Sequence, residues 1–83
     1  MAQNRRNYAR SYCDKGFDLY LGGKWDEAIT QCNEAIEQDS DFYVGYYYRA
    51  KAYEKRGDFI SAAQDYEKAA WFKKPFFSEH KTC

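Results

Sequence analysis

The chain has 83 residues, thirteen basic and thirteen acidic side chains and no net charge, and Phe, Trp and Tyr supply 20% of it. That length suits one small domain that buries only about 60–65% of its unfolded surface. Balanced charge argues against a nucleic-acid binder, which carries a basic surplus, and no stretch reaches the roughly 20 apolar residues of a membrane span.

The first predicted helix runs from about Tyr8 to Leu21, because Tyr8, Tyr12, Gly16, Leu19 and Tyr20 recur at three- and four-residue steps. Gly22-Gly23 ends it, since glycine accepts the left-handed backbone of a helix stop. The second helix is expected from about Trp25 to Gln38, with Ala28, Ile29, Cys32, Ala35 and Ile36 as its apolar stripe. Asp26 and Glu27 fall in its first turn, where negative charge meets the positive end of the helix dipole. Asp39-Ser40-Asp41 is a polar break. A third helix follows from about Val44 to Arg56, with Gly57 as its stop, and Asp58 is placed to cap the fourth. The fourth is expected from about Phe59 to Phe72, with Ala62, Ala63, Tyr66, Ala69 and Ala70 as its stripe, and Pro75 forbids simple continuation.

The second half copies the first at a spacing of 34 residues: Tyr12 returns as Tyr46, Gly23 as Gly57, Ala28 as Ala62, Ala35 as Ala69 and Phe42 as Phe76. Similar pairs fill the gaps: Gly16 with Ala50, Lys15 with Arg49, Leu19 with Tyr53 and Trp25 with Phe59. A fixed period of this size signals stacked helical hairpins. Gly16 against Ala28, and Ala50 against Ala62, would let paired helices approach at the close end of the usual 8–10 Å range, roughly. Trp25 or Phe59 would then close the end of its hairpin.

The pattern resembles the tetratricopeptide repeat, a 34-residue helix–turn–helix unit. Unit one reads Tyr12, Gly16, Leu19, Gly23, Trp25, Ala28, Cys32, Ala35, and unit two reads Tyr46, Ala50, Tyr53, Gly57, Phe59, Ala62, Tyr66, Ala69. The chain departs from the family where Lys15 and Arg49 replace a frequent leucine, where Cys32 replaces an aromatic, and where Ser40 and a late Pro75 stand for the closing proline. The resemblance implies an all-α fold with two tandem hairpins stacked as a short right-handed superhelix. Residues 1–83 form a single domain on this reading, with repeats at about 9–42 and 43–76 and a short aromatic tail at 77–83. It further implies a protein-interaction module whose concave face, lined mainly by the first helix of each unit, holds a peptide or helix. Carried over, the groove positions are Arg10, Cys13, Phe17, Tyr20 and Leu21 in unit one. In unit two they are Val44, Tyr47, Tyr48, Lys51, Glu54 and Lys55. Tyr12, Tyr46, Tyr53 and Tyr66 stand at core positions.

Some family members grip a chaperone's C-terminal carboxylate with lysine, arginine and asparagine. Cys13, Phe17 and Tyr48 stand where that clamp needs a lysine and two asparagines, and those side chains cannot replace its hydrogen bonds. Charge is uneven along the chain: residues 25–42 carry six acidic and no basic groups, whereas residues 1–24 carry five basic and two acidic ones. With the first helices facing inward, the groove would favour an acidic segment with an aromatic or apolar anchor. Arg10, Lys51 and Lys55 would steer it, and Phe17, Tyr20, Tyr47 and Tyr48 would pack the anchor.

A second reading concerns the ends of the stack. Trp71, Phe72, Phe76 and Phe77 crowd the end of the chain, and an apolar patch of this kind marks an interface. Either the tail folds over the stack as a cap, or the edge pairs with another copy or with further repeats. Arg5, Arg6 and Arg10 at the other end would meet an acidic neighbour.

No catalytic function is expected. The single histidine, His80, has no obvious general-base partner, and Asp14 and Asp18 at i,i+4 read as helix surface. The cysteines Cys13, Cys32 and Cys83 include no Cys-x-x-Cys unit, so no metal or cofactor is expected. Cys13 and Cys32 read as small apolar side chains, and Cys83 as an exposed thiol. Free thiols without an export signal point to the cytoplasm. Partners are expected to be proteins or peptides, with neither nucleic acid nor membrane.

Overall fold

The computed structural model describes residues 2–73, with side chains from Arg5 onward. Within them lie four α-helices: α1 Ala2–Leu21, α2 Trp25–Gln38, α3 Tyr43–Arg56 and α4 Phe59–Lys73. No strand occurs among the described residues. Helix α1 packs on α2, α3 on α4, α2 on α3, and α1 on α3. This is the pattern of two helical hairpins stacked side by side, with their first helices adjacent.

The two hairpin turns are built alike. Gly23 and Gly57 have φ of 81° and 90°, the left-handed region open to glycine. Gly23 N–H donates to the Tyr20 carbonyl at 3.0 Å and Lys24 N–H to the Leu19 carbonyl at 2.9 Å. Thirty-four residues on, Gly57 N–H donates to Glu54 at 3.0 Å and Asp58 N–H to Tyr53 at 2.9 Å. Both turns thus satisfy the last carbonyls of a first helix in a Schellman arrangement. Asp58 then caps α4, its Oδ1 accepting from Ser61 N–H at 3.2 Å.

Small residues set the helix spacing. A methyl group added at Gly16 would meet the Ala28 carbonyl oxygen and Cys32 Sγ, each at 3.3 Å, so α1 and α2 touch nearly backbone to backbone. Ala50 and Ala62 are both buried between α3 and α4. Between the hairpins, a methyl at Gly45 would stand 3.0 Å from Ile36 Cγ1 and 3.7 Å from Ala35 Cβ. The buried core is mostly alanine with Cys13, Cys32, Ile29 and Tyr46, and the rings of Tyr12, Phe42, Tyr48, Tyr20 and Tyr53 close over it from the sides.

Several details differ from the sequence expectation. Helix α1 begins at Ala2 rather than near Tyr8. Arg6, on the extra turns, pairs with Asp39 in the link between hairpins and lies 4.9 Å over the Phe42 ring. Arg6 thus finds its acidic neighbour within the same chain. Trp25 does close its hairpin, approaching to within 3.9 Å of a methyl built at Gly23. Phe59 does not, being 65% exposed. Helix α4 buries Ala62, Asp65 and Ala69, while Ala63 and Ala70 stay exposed. Ala63 and Ala70 are the 34-residue images of Ile29 and Ile36, which α2 turns toward α3.

The buried Asp65, 3% exposed, was not anticipated. It takes a two-pronged bond from Arg49, with Nε donating to Oδ2 at 2.7 Å and Nη2 to Oδ1 at 2.8 Å. Arg49 Nη1 reaches across the hairpin boundary to Asn33 Oδ1 at 2.7 Å. The guanidinium also lies 5.7 Å from the Tyr46 ring centre and 6.0 Å from that of Tyr53. One side chain thereby ties α2, α3 and α4 together. The hydrogen bond to Asp65 is the main reason its pKa is raised further.

Candidate functional site

The adjacent first helices, α1 and α3, form a face lined by rings. Phe17 stacks on Tyr48 at 4.8 Å between centroids and on Tyr20 at 6.0 Å. Tyr20 continues to Trp25 at 5.6 Å. From Tyr48 the run passes to Tyr47 at 5.9 Å and, edge to face, to Tyr66 of α4 at 5.8 Å. Phe17 and Tyr20 share one side of α1 at i,i+3, Tyr47 and Lys51 one side of α3 at i,i+4, and Tyr48, next to Tyr47, turns toward α1 to meet Phe17. Offset and tilted rings at these separations attract one another.

A single cation sits in the middle of this run. Lys51 Nζ lies 5.7 Å from the Tyr20 ring centre and 5.4 Å from that of Tyr47, inside cation–π range. Its ammonium is held between the two hairpins while its stem is half-buried. Lys55 is exposed one turn further along α3, and Leu21 is exposed at the end of α1. Arg10 is exposed toward the opposite end of the face. Glu54 is engaged, accepting from the Tyr66 hydroxyl at 2.7 Å. Burial and then that bond raise the Tyr66 pKa, so the phenol stays protonated. Burial is also the main cause that raises the Tyr48 pKa. Asp14 is exposed on α1.

Of the proposed groove residues, the structure brings together Phe17, Tyr20, Tyr47, Tyr48 and Lys51. Cys13 is placed elsewhere: it is 1% exposed, packed with Ala9 and Ala35 beneath Val44 and Tyr48. Helix α3 seals it off, and burial pushes its thiol pKa up to about 12. Val44 belongs to the same packing and is only partly exposed. Trp25 joins the ring run without having been named for the groove. The spacing Tyr20, Trp25 across a glycine turn was the signal for it.

Of the suggested end interface, Trp71 is exposed and Phe72 stacks on Tyr46 at 5.4 Å. Phe72 therefore anchors α4 to α3. Phe76, Phe77, Pro75, His80 and Cys83 lie outside the described residues. Among the described residues no group of three acidic, histidine or cysteine side chains could hold a metal ion, and no helix is long and apolar enough to cross a membrane.

Comparison with known proteins agrees with this architecture. The family model of the TPR repeat matches residues 16–57. The human protein "DnaJ homolog subfamily C member 7" is 32% identical over 78 residues, which cover 94% of this chain and 15% of that protein. The chicken protein "DnaJ homolog subfamily C member 3" is 35% identical over 65 residues, covering 78% of this chain and 13% of that protein. The chain thus spans about a seventh of the curated relatives it matches. No solved structure matches it significantly. With its 34-residue period, paired hairpins, glycine stops and matching family model, the chain belongs to the tetratricopeptide repeat family.

Proposed function

We propose that the ring-lined face of α1 and α3 binds an extended or helical protein segment bearing an aromatic or apolar anchor beside acidic groups. Repeats of this family generally mediate protein–protein interaction, and the functional surface here is non-catalytic. The observation that carries the reading is Lys51 held between Tyr20 and Tyr47 within a continuous run of rings. Rings give contact area at low entropic cost and dominate binding hot spots. Lys51, Lys55 and Arg10 attract acidic groups and speed encounter, an effect that salt weakens. Asp14 makes the Arg10 end mixed in charge, so acidic groups of the partner belong near Lys51 and Lys55. Cys13 and Cys32 are free thiols, which supports a reducing, cytoplasmic setting.

Selection from a random peptide library on the purified chain, under reducing conditions, tests this reading. Acidic peptides with an aromatic anchor should be enriched, and Phe17→Ala should weaken the best of them by about 2 kcal/mol, roughly 30-fold. Lys51→Glu should weaken binding most at low salt. Enrichment of basic or random sequences, or affinity indifferent to Phe17, would reject the reading.

A further inference from the structure

The 34-residue repeat makes each half of the chain a control for the other. On the outer side of α2, Asp26, Thr30 and Glu37 are exposed and polar. Their images on α4 are Ile60, Gln64 and Trp71. Ile60 is 75% exposed and Trp71 65%. The fold does not require large apolar side chains at these two positions, since unit one fills them with carboxylates.

These residues also make a shaped surface. Gln64, Glu67, Lys68 and Trp71 line one niche of about 380 Å³ on α4. Their spacing is i, i+3, i+4 and i+7, the four-residue hole into which a facing helix inserts a single side chain. Ile60 stands one turn before Gln64 on the same stripe, exposed as a knob. One helix thus carries both halves of a knobs-into-holes contact.

We propose that α4 pairs with α4 of a second copy of the chain, antiparallel, about a two-fold axis at Gln64. Ile60 lies four residues before Gln64, and the centre of the niche, between Glu67 and Lys68, lies about as far after it. This axis seats both Ile60 side chains at once, the self-complementarity that a closed dimer demands. The polar groups agree with the same arrangement. Gln64 meets Gln64 of the other copy, and each amide carries both donors and an acceptor, so the two satisfy one another. Lys68 comes level with the start of the other α4, where Asp58 bears the opposite charge. Glu67 comes level with that helix's first turn, which contains no acidic residue and is the positive end of its dipole. A parallel pair would instead set Glu67 beside Glu67 and Lys68 beside Lys68, and would leave both niches unfilled.

The interface is small. One helix against another buries less than the roughly 1,200 Å² of stable complexes, so the dimer is weak and reversible, with a Kd on the order of 100 μM. It uses none of Phe17, Tyr20 or Lys51, so pairing and peptide binding can each fail alone.

Sedimentation equilibrium of the full chain under reducing conditions, at concentrations bracketing that value, tests the proposal. The mass should rise reversibly from 9.9 kDa toward that of a dimer. Ile60→Glu removes both knobs and should weaken association about 30-fold. It should leave the thermal melt unchanged, because the residue is exposed and a carboxylate suits the first turn of a helix. Ala70→Glu, in the angle of α3 and α4, should leave association as it was. A chain that stays at 9.9 kDa, or association lost with Ala70→Glu and kept with Ile60→Glu, overturns the proposal.

Cross-linking reads the axis without touching Ile60. In a chain carrying Cys83→Ser, Gln64→Cys should form a disulfide between two copies on oxidation with glutathione disulfide, because residue 64 meets itself at the axis. Glu67→Cys should link far more slowly, its two copies lying about 10 Å apart along the helices. No link at residue 64, or a link at residue 67 that forms as fast, overturns the proposal.

Discussion

Replacing Asp65 with alanine should cost more than removing any exposed charged residue in the described fold. The carboxylate is almost wholly enclosed, and it holds both prongs of Arg49 at 2.7 and 2.8 Å. Removing one partner of a buried pair leaves the other charge without compensation, at about 3–5 kcal/mol. Asn33 still accepts from Arg49 Nη1, which places Asp65→Ala at the low end, about 3 kcal/mol. A chain of this length is stable by roughly 4–12 kcal/mol, so the loss is a quarter or more of the total. At about 4–8 °C per kcal/mol for a domain this small, Tm should fall by about 12–24 °C. Urea unfolding followed by far-ultraviolet circular dichroism gives the free energy directly. The double change Arg49→Leu with Asp65→Ala should recover most of the loss, because it leaves no stranded charge. Lys15→Ala is the internal control: Lys15 is the image of Arg49 but is exposed, and its removal should cost less than about 0.5 kcal/mol. A loss below about 1 kcal/mol for Asp65→Ala, the scale of an exposed pair, would refute the reasoning.

Gly57→Ala should destabilise by about 1–2 kcal/mol through backbone strain alone, since a methyl there meets nothing within 4 Å; a neutral result in urea unfolding would contradict the left-handed stop. Asp58→Ala should cost about 1 kcal/mol by removing the cap of α4, whereas Asp58→Asn or Asp58→Ser should retain most of it. Cys13 and Cys32 should resist an alkylating reagent at pH 8 in the folded chain and react after unfolding, because burial pushes both thiols up to about 12. Stability should also fall as pH rises above about 9. The unfolded chain loses its thiol protons near 9.0 and its phenol protons near 10.0, while Cys13, Cys32, Tyr46 and Tyr66 keep theirs in the fold. The unfolded state then binds fewer protons, which makes the slope negative. A chemical-denaturation series across that range should show the decline.

Local grammar made much of the fold legible. The glycine stops at Gly23 and Gly57, the Asp58 cap and the bounds of α2 follow from short-range backbone preferences. The period of 34 then implies the pairing of hairpins, and Gly16 and Ala28 meet as their size suggests. What the sequence concealed depends on contacts distant along the chain. Arg6 meets Asp39 only because α1 extends past the first hairpin, and no periodicity shows a pair so far apart. Asp65 reads as helix surface until its partner is known. The available signal was Arg49 at an inward position, since a guanidinium facing a neighbouring helix needs a carboxylate there. Ala63 and Ala70 belong to the apolar stripe of α4 by spacing, yet both stay exposed, Ala70 in the angle of α3 and α4. Within the site, Phe17 and Tyr20 share a face of α1 as helical spacing requires, while Tyr48 reaches Phe17 from the flank of α3. Cys13 shares that spacing but lies under α3, a consequence of how the hairpins stack rather than of where α1 points.

Isotope-edited NMR mapping of a selected acidic, aromatic-anchored peptide on the folded chain tests the central claim most directly. Binding through the α1 and α3 face predicts the largest shifts at Phe17, Tyr20, Tyr48 and Lys51, with Ile60, Gln64 and Lys68 on the outer side of α4 unchanged. Shifts concentrated on α4, with Phe17 and Lys51 still, would contradict it.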